Sequence, residues 1–552
     1  MSKEEKRFAW AIPVCFIILY ILPLGVRPLW IPDEVRYAEI PREMLASGNW
    51  IVPHLDGLRY FEKPVFGYWL NALSLWTFGE NAFASRLPSA LAAGLTALLL
   101  FLLTLRFTKR LLAAAFCAAL FLTSFEVFVI GVFNVLDSLF ALSITASLVA
   151  FFFGIQSNGK SQRYYLALFG FACGMGFLIK GFLAFALPVL VIVPFMIWEN
   201  RWKELFSCCW LPLGTALLTV LPWSLAVYLQ APDYWHYFFW VEHIKRFSAE
   251  NAPHLKPFWF YIPMLMIGAF PWSVFAPQAI LSLWRSRINT PLMRFALCWL
   301  LFPFLFLSFS KGKLGTYILP CFAPLAILIS LGLWQQFNQP VGKCAKWGER
   351  VIITLLALFA TALLCIQLFD FGVKVYADPG ESWKYLVVAL SVGVWIGLTR
   401  SAMSCAAPLQ RVVRYSAAPL AFMLSMHFTL PKQVEDNKAP ASFLQSVATM
   451  ISPQTLIVSD SNMSHAVAWQ YKRNDVFLIS SGELEYGLTY PDAQQRFLDK
   501  EKFKQFLAQY QWKRPIAIFY RDREFSYNAL LPANVQSFRY GKCGMLFLKG
   551  PQ

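Results

Sequence analysis

The sequence predicts a polytopic, all-α membrane protein that ends in a small soluble α/β domain, and three observations lead there. Hydrophobic residues make up 58% of the 552, with 52 Phe and 21 Trp. Apolar runs of about 17 to 25 residues recur through the first 430 positions, each long enough to cross roughly 30 Å of hydrocarbon as a helix. Near Pro431 the composition turns to that of a soluble domain.

The first run, Phe8 to about Val26, is too long for the apolar core of a signal peptide. Its flank Leu22-Pro-Leu-Gly-Val26 is also unlike a small-residue cleavage site, so a retained anchor is expected. Hydropathy then places about thirteen spans, near residues 8–27, 83–105, 111–130, 136–155, 164–179, 181–198, 207–229, 258–282, 292–309, 315–334, 351–370, 384–399 and 416–430. Between them Lys3, Lys6 and Arg7, Arg106, Lys109 and Arg110, Lys160 and Arg163, Arg201 and Lys203, Arg285 and Arg287, Lys343, Lys346 and Arg350, and Arg400, Arg411 and Arg414 fall on one side, which the positive-inside rule makes cytoplasmic. The net charge of +17 is thereby largely topology. A nucleic-acid partner would want those basic residues gathered on one folded face, and none is expected.

The opposite side receives loops at about 28–82 and 230–257 and the whole stretch 431–552. The expected division is therefore a membrane domain over 1–430 and a soluble domain over 431–552. In the latter, Thr455–Val458, Val476–Ile479, Ile516–Phe519 and Met545–Leu548 read as strands, and Ser442–Met450 and Ala493–Tyr510 as helices. It shows no Gly-rich phosphate loop and no Ser-His-Asp arrangement, so a capping or stabilising role is expected and no nucleotide cofactor. Cys543 is its one cysteine, which excludes an internal disulfide.

Chemistry concentrates between Ile31 and Pro64, where ten charged residues and His54 interrupt a chain that is only 14% charged. Ionisable groups beside hydrocarbon are costly to desolvate, and function is the usual reason to keep them. In Pro32-Asp33-Glu34-Val35-Arg36-Tyr37 the proline suits a helix start and the acids its first turn, so Asp33 is either a capping acid or a catalytic one. Asp137 opens a span alone, as a helix-capping acid does. Lys311 and Lys313 sit against the charge rule; headgroup snorkelling and a bound anion both account for them. Lys180, in an Ile-Lys-Gly turn, reads as an interface anchor, and Glu126, if within a span, needs a partner.

The stretch from Asp33 to Pro64, continuing into Gly67-Tyr-Trp69, closely resembles the lipid A 4-amino-4-deoxy-L-arabinose transferases of Gram-negative bacteria. Phe238-Phe-Trp-Val-Glu-His243-Ile-Lys-Arg-Phe247 and Ser310-Lys-Gly-Lys-Leu-Gly-Thr-Tyr317 do so too, and the likeness spans the chain. These enzymes have the GT-C glycosyltransferase fold. The resemblance implies a polymyxin-resistance enzyme of the inner membrane that moves aminoarabinose from undecaprenyl phosphate to the phosphates of lipid A (Kdo2-lipid A) on the periplasmic face. Both substrates are anions with lipid tails, so a cationic site beside membrane lipid is required.

Residue by residue, the resemblance makes Asp33 the main catalytic acid, with Glu34 beside it and Asp137 as a second acid. Lys63 and Tyr317 match positions that hold the carrier phosphate; Arg36, Arg59, Arg246, Lys311 and Lys313 add positive charge on the same side. Arginine forks bind phosphate oxygens in pairs and lysine supplies a point charge. Glu62 and His243 match a pair that holds zinc in part of the family. By themselves the two residues leave interfacial hydrogen bonding equally open, since two protein ligands leave a tetrahedral ion needing a phosphate oxygen or water. Two rival functions remain: a GT-C mannosyltransferase acting on protein, and a flippase for a lipid-linked sugar. The latter would place ionisable groups deep in the spans, whereas here they gather at one face.

Overall fold

The computed structural model describes residues 2–245, 255–285, 289–337, 343–369, 374–405, 407–521, 525–533 and 535–550; the side chains of 243–245 and 343–345 lie outside that description. The chain forms two compact units. One holds Met1–Leu24, Arg86–Val375 and Ser382–Thr429; the other holds Gly25–Ser85, Tyr376–Glu381 and Leu430–Gln552. The charged stretch 28–82, expected to belong with the membrane domain, thus groups with the C-terminal residues.

The first unit is helical. Among the described residues eight helices are long and apolar enough to cross a membrane, or ten if each of two bent pairs counts as one span. The expected spans 111–130 and 258–282 are those pairs. Leu111–Leu122 and Phe125–Gly131 meet at 65°, Phe258–Gly268 and Trp272–Arg285 at 99°. Pro271 in the second break brings no N–H and cannot continue a helical ladder. The two breaks are joined by one backbone and one side-chain hydrogen bond: Phe125 N donates to Phe270 O (3.1 Å) and Trp272 Nε1 to Thr123 Oγ1 (2.9 Å). Within a membrane, non-helical backbone is tolerated where it is buried in protein and paired. Two further expected spans fall on helix Gly159–Lys180 and the short helix Leu183–Trp198, whereas 416–430 forms no single helix: Pro408–Ala417 and Leu420–Met426 lie on either side of Pro419, and neither is long enough to cross a membrane.

Helix Gly159–Lys180 packs closely on Trp210–Gln230 through two glycines one turn apart. A Cβ on Gly170 would stand 2.1 Å from Pro212 O, and one on Gly174 2.7 Å from Thr219 Cβ. Small residues at this spacing let helix backbones approach where no hydrophobic drive separates protein from lipid.

The second unit contains a two-residue hairpin and a five-stranded sheet. In the hairpin β1 (His54–Leu55) and β2 (Leu58–Arg59) pair antiparallel around Asp56-Gly57, both with positive φ (54° and 75°). Asp-Gly is a favoured pair for such a turn, because both central residues must accept the left-handed region. The sheet has the order β4 (Phe477–Leu478), β3 (Leu456–Ser459), β5 (Ile516–Arg521), β7 (Cys543–Leu548), β6 (Gln536–Tyr540). The first three are parallel and the last two antiparallel. Val458, Ile516, Ile518, Leu546 and Leu548 pack with Phe503, Phe506 and Leu507 of helix Lys500–Tyr510.

Four strands lie where the sequence suggests. β6 was not expected: it is a largely exposed edge strand, Gln-Ser-Phe-Arg-Tyr, without an apolar run. The helix expected over Ala493–Tyr510 begins only at Lys500. Asp499 caps it by accepting from Lys502 N (2.8 Å), and Phe497 bridges to Leu478 instead.

Gly170→Ala should therefore lower the thermal midpoint of the purified protein, at a cost of about 1–3 kcal/mol for overpacking. Gly214→Ala in the facing helix, where a Cβ meets nothing within 4 Å, should leave it unchanged or higher.

Candidate functional site

Asp33 and Glu34 open helix Asp33–Ser47, as their place after a proline suggests, yet they have different environments. Glu34 is fully buried and held by both guanidinium nitrogens of Arg27 (2.5 and 3.1 Å), and it also accepts from Trp30 N (3.0 Å). Arg27 in turn lies 4.8 Å over the Trp30 ring. That ion pair fixes the entry to the helix and engages the carboxylate expected to act beside Asp33. Asp33 keeps 47% of its side chain exposed.

Arg36, one turn on, bridges two acids. One terminal nitrogen donates to Asp33 Oδ1 and the other to Glu483 Oε2, a residue of the C-terminal stretch. Tyr60 OH also reaches Glu483 Oε2 at 3.3 Å. Lys63 and Glu62 follow Tyr60 and are half-buried; Lys63 Nζ donates to the Glu62 carbonyl (2.8 Å). Arg59 pairs with Asp492 (3.1 Å) and lies 4.1 Å over the Tyr490 ring. His54 Nδ1 lies 2.9 Å from the carbonyl of Val52.

Glu483 is also bound by His465, whose Nε2 lies 2.8 Å from Oε1 while Nδ1 lies 2.9 Å from Asp56 Oδ2. With a carboxylate on each side both ring nitrogens must donate, so the ring is an imidazolium. Burial opposes that charge, and Asp56 and Glu483 overcome it, pushing the His465 pKa up to about 10. Burial likewise opposes the charge on Glu483, but Arg36 and His465 hold it down to about 2. Asp56 belongs to a buried group with Glu39 and Glu43, the one set of metal-like spacing among the described residues. Most of its oxygens are engaged: Glu39 by Arg42 (2.7 and 2.5 Å), Glu43 by Gly57 N (3.0 Å) and Asp56 Oδ2 by His465, while Asp56 Oδ1 is buried without a hydrogen-bond partner. Burial, with Glu39 and Asp56 close by, pushes Glu43 upward, toward its protonated form.

The membrane unit has its own polar cluster. Asp137 opens helix Asp137–Ile155, and its Oδ1 accepts from Lys180 Nζ at 2.6 Å. Lys180, expected at an interface, is instead largely buried against this acid and stands 4.4 Å from the Tyr317 ring. An ammonium at the end of an apolar helix needs such a counter-charge. Lys313 is buried too and donates to the carbonyls of Lys256 (3.1 Å) and Ser310, while Lys311 is exposed. Tyr261 OH secures the same loop at Leu314 O (3.1 Å). Glu126, in the first turn after the 65° break, has no ion-pair partner among the described residues; its side chain lies against Gly268. Arg246 and the His243 side chain lie outside the described residues.

Lys180 and His465 make contacts that the sequence signals weakly or not at all. A lysine closing an apolar helix before a glycine was a signal for the first. Nothing local signals the second, whose partners are 409 and 18 positions away.

Comparison with known proteins bears on this arrangement. Residues 7–238 match the family model for dolichyl-phosphate-mannose-protein mannosyltransferase, and 435–547 that for the C-terminal domain of arabinosyl transferase ArnT. ArnT from Cupriavidus metallidurans has the same fold in its apo crystal structure, with a TM-score of 0.83, 22% identity and 99% of each chain covered. The structure of that protein bound to undecaprenyl phosphate gives 0.82. At 22% and 23% identity these likenesses establish the fold, that of a polytopic helical membrane protein with an α/β C-terminal part. An undecaprenyl phosphate-α-4-amino-4-deoxy-L-arabinose arabinosyl transferase of Edwardsiella ictaluri is 42% identical over 98% of both chains, and one of Shewanella sediminis 41% over 95% of both. The chain belongs to that arabinosyl transferase family.

The His465 network should show in the pH dependence of stability. Its raised pKa contributes stability that is fully present below the ordinary value of 6.5 and lost as pH rises toward about 10. Glu483, depressed, contributes above its ordinary 4.5 and loses that contribution as pH falls toward about 2. Thermal midpoints of wild type and His465→Gln should therefore converge as pH rises from about 6.5 to 10; a constant difference would contradict the imidazolium.

Proposed function

We propose that the protein transfers 4-amino-4-deoxy-L-arabinose from undecaprenyl phosphate to the phosphate groups of lipid A at the periplasmic face of the bacterial inner membrane. It lowers surface negative charge and so gives resistance to polymyxin. Family membership at about 40% identity across the whole chain is the observation that carries this reading. On the same reading the membrane domain has thirteen spans and the C-terminal domain is periplasmic.

In the proposed chemistry an oxygen of the lipid A phosphate attacks the anomeric carbon of the sugar. The bond from that carbon to the carrier phosphate breaks, undecaprenyl phosphate leaves with the electron pair, and configuration inverts. A phosphomonoester has its second pKa near 6, so the nucleophile is already an anion near neutral pH. A strong base is unnecessary, and the barrier lies in carbon–oxygen cleavage. Lys63 and Tyr317 stabilise the departing phosphate, with Arg36, Arg59, Arg246, Lys311 and Lys313 as the cationic surroundings. Asp33 acts by position and charge, orienting the sugar or acceptor and stabilising positive charge that develops at the sugar; Asp137 assists through Lys180. On this reading Glu62 and His243 would hold a zinc ion, which would supply positive charge for the carrier phosphate.

Lipid A from cells with and without the gene should differ by a phosphate-linked aminopentose in mass spectra; no difference would refute the function. In purified protein Lys63→Ala and Tyr317→Phe should weaken use of the donor, and wild-type donor affinity and turnover in both would refute the phosphate site. Asp33→Asn should lose turnover with donor binding largely kept, and alkaline pH should not restore it. Steep rescue by alkali would instead identify Asp33 as a base.

For zinc, elemental analysis of washed wild type, Glu62→Ala and His243→Ala should show the ion in the first and less in the others. Absence from the wild type would remove it from the mechanism.

A further inference from the structure

From the hairpin turn to the helix start runs an unbroken series of alternating charges: Asp56, His465, Glu483, Arg36, Asp33. The links are 2.9 Å from Asp56 Oδ2 to His465 Nδ1 and 2.8 Å from His465 Nε2 to Glu483 Oε1, then the direct contacts of the Arg36 guanidinium with Glu483 and Asp33. Its inner end is dry: the side chains of Asp56 and His465 are 0% and 2% exposed. Its outer end is open, with Asp33 at 47%. Well-packed apolar side chains commonly stabilise a buried site as well as an ion network does, so stability alone is a weak reason for burying these charges. A carboxylate in the first turn of a helix, half in solvent, has several rotamers, and a guanidinium fixed at its far side selects one.

We propose that His465 is a positioning residue for sugar transfer. Clamped by Asp56, it holds Glu483, which fixes the Arg36 guanidinium and through it the orientation of the Asp33 carboxylate. The C-terminal domain then contributes to turnover as well as to folding. The proposal rests on the role given to Asp33 above.

The hairpin explains why Asp56 is a reliable anchor. Its φ of 54° is set by the Asp-Gly turn, Gly57 N is bound by both oxygens of Glu43 (3.0 Å each), and a Cβ on Gly57 would stand 2.4 Å from Asn474 O. The Arg36 guanidinium is equally confined, with Tyr37 beneath it at 4.9 Å. Tyr60 OH gives Glu483 a further partner at 3.3 Å.

The test compares full-length purified wild type with His465→Gln and His465→Asn, assayed with undecaprenyl phosphate-aminoarabinose and lipid A. Glutamine places its amide near Nε2 and still donates to Glu483, whereas asparagine reaches only toward Nδ1. His465→Asn should lose about 10- to 100-fold in kcat, the scale of a small misplacement of a reacting group, with KM for the donor within about twofold. His465→Gln should retain more of kcat. Adding Arg36→Lys to His465→Asn should cost little beyond Arg36→Lys alone, because both break one series.

Equal losses in the two His465 variants, losses that multiply with Arg36→Lys, or wild-type kcat per folded molecule would each overturn the proposal. Should the His465 variants not fold, Glu483→Gln, on a partly exposed side chain, must show the same kcat loss and the same coupling to Arg36→Lys, and a wild-type kcat there would overturn it. Wild-type protein that transfers no aminoarabinose would refute the proposed function itself, an outcome distinct from an active wild type with uncoupled variants.

Discussion

Charge removed from water must be paired, and most of this architecture follows from that constraint. A lone ammonium or carboxylate in a low-polarity interior costs several kcal/mol, and the cost is tolerable when an opposite charge and further hydrogen bonds replace the lost water. Arg27 with Glu34, Arg42 with Glu39, Lys180 with Asp137 and His465 between Asp56 and Glu483 are four solutions of that one problem. Apart from Arg42 with Glu39, which lies within one helix, each also joins separate parts of the chain or fixes a helix start, so the polar groups brace their surroundings while being neutralised. Asp33 differs from the others in being half open to water, as an acid must be if it is to meet a substrate.

The same logic governs the backbone. A break in a membrane helix exposes N–H and C=O groups that hydrocarbon cannot satisfy. The 65° and 99° breaks are mutually hydrogen bonded through Phe125, Phe270, Thr123 and Trp272. Close helix contacts are made where glycines remove the side chain, at Gly170 and Gly174. Bent and tightly apposed helices are thus stabilised by local complementarity.

The candidate site was legible in proportion to how local its signals are. Asp33, Arg36 and Lys63 announced themselves because charge is scarce in this chain and they cluster within one short stretch. Glu34 looked equivalent to Asp33 in sequence, and only its contact with Arg27 separates a structural acid from an open one. Lys180 read as an anchor because its counter-ion is 43 residues away. The start of helix Lys500–Tyr510 was misplaced because apolar spacing continues upstream of Asp499, whose side chain sets the boundary by capping. β6 escaped notice since an exposed edge strand need not alternate apolar and polar residues.

The sequence by itself determined the class of the fold. Apolar run length and the placement of basic residues are one-dimensional properties that a bilayer reads directly. It also determined the family, through motifs spread along the whole chain. Tertiary structure alone decided which acid is open and which is neutralised, that the stretch 28–82 groups with the C-terminal residues, and that His465 is an imidazolium joined through Glu483 and Arg36 to Asp33. The physical reason is range: hydropathy acts on a segment as a whole, whereas an ion pair depends on contacts of about 3 Å between residues whose separation in sequence carries no information about their distance in space.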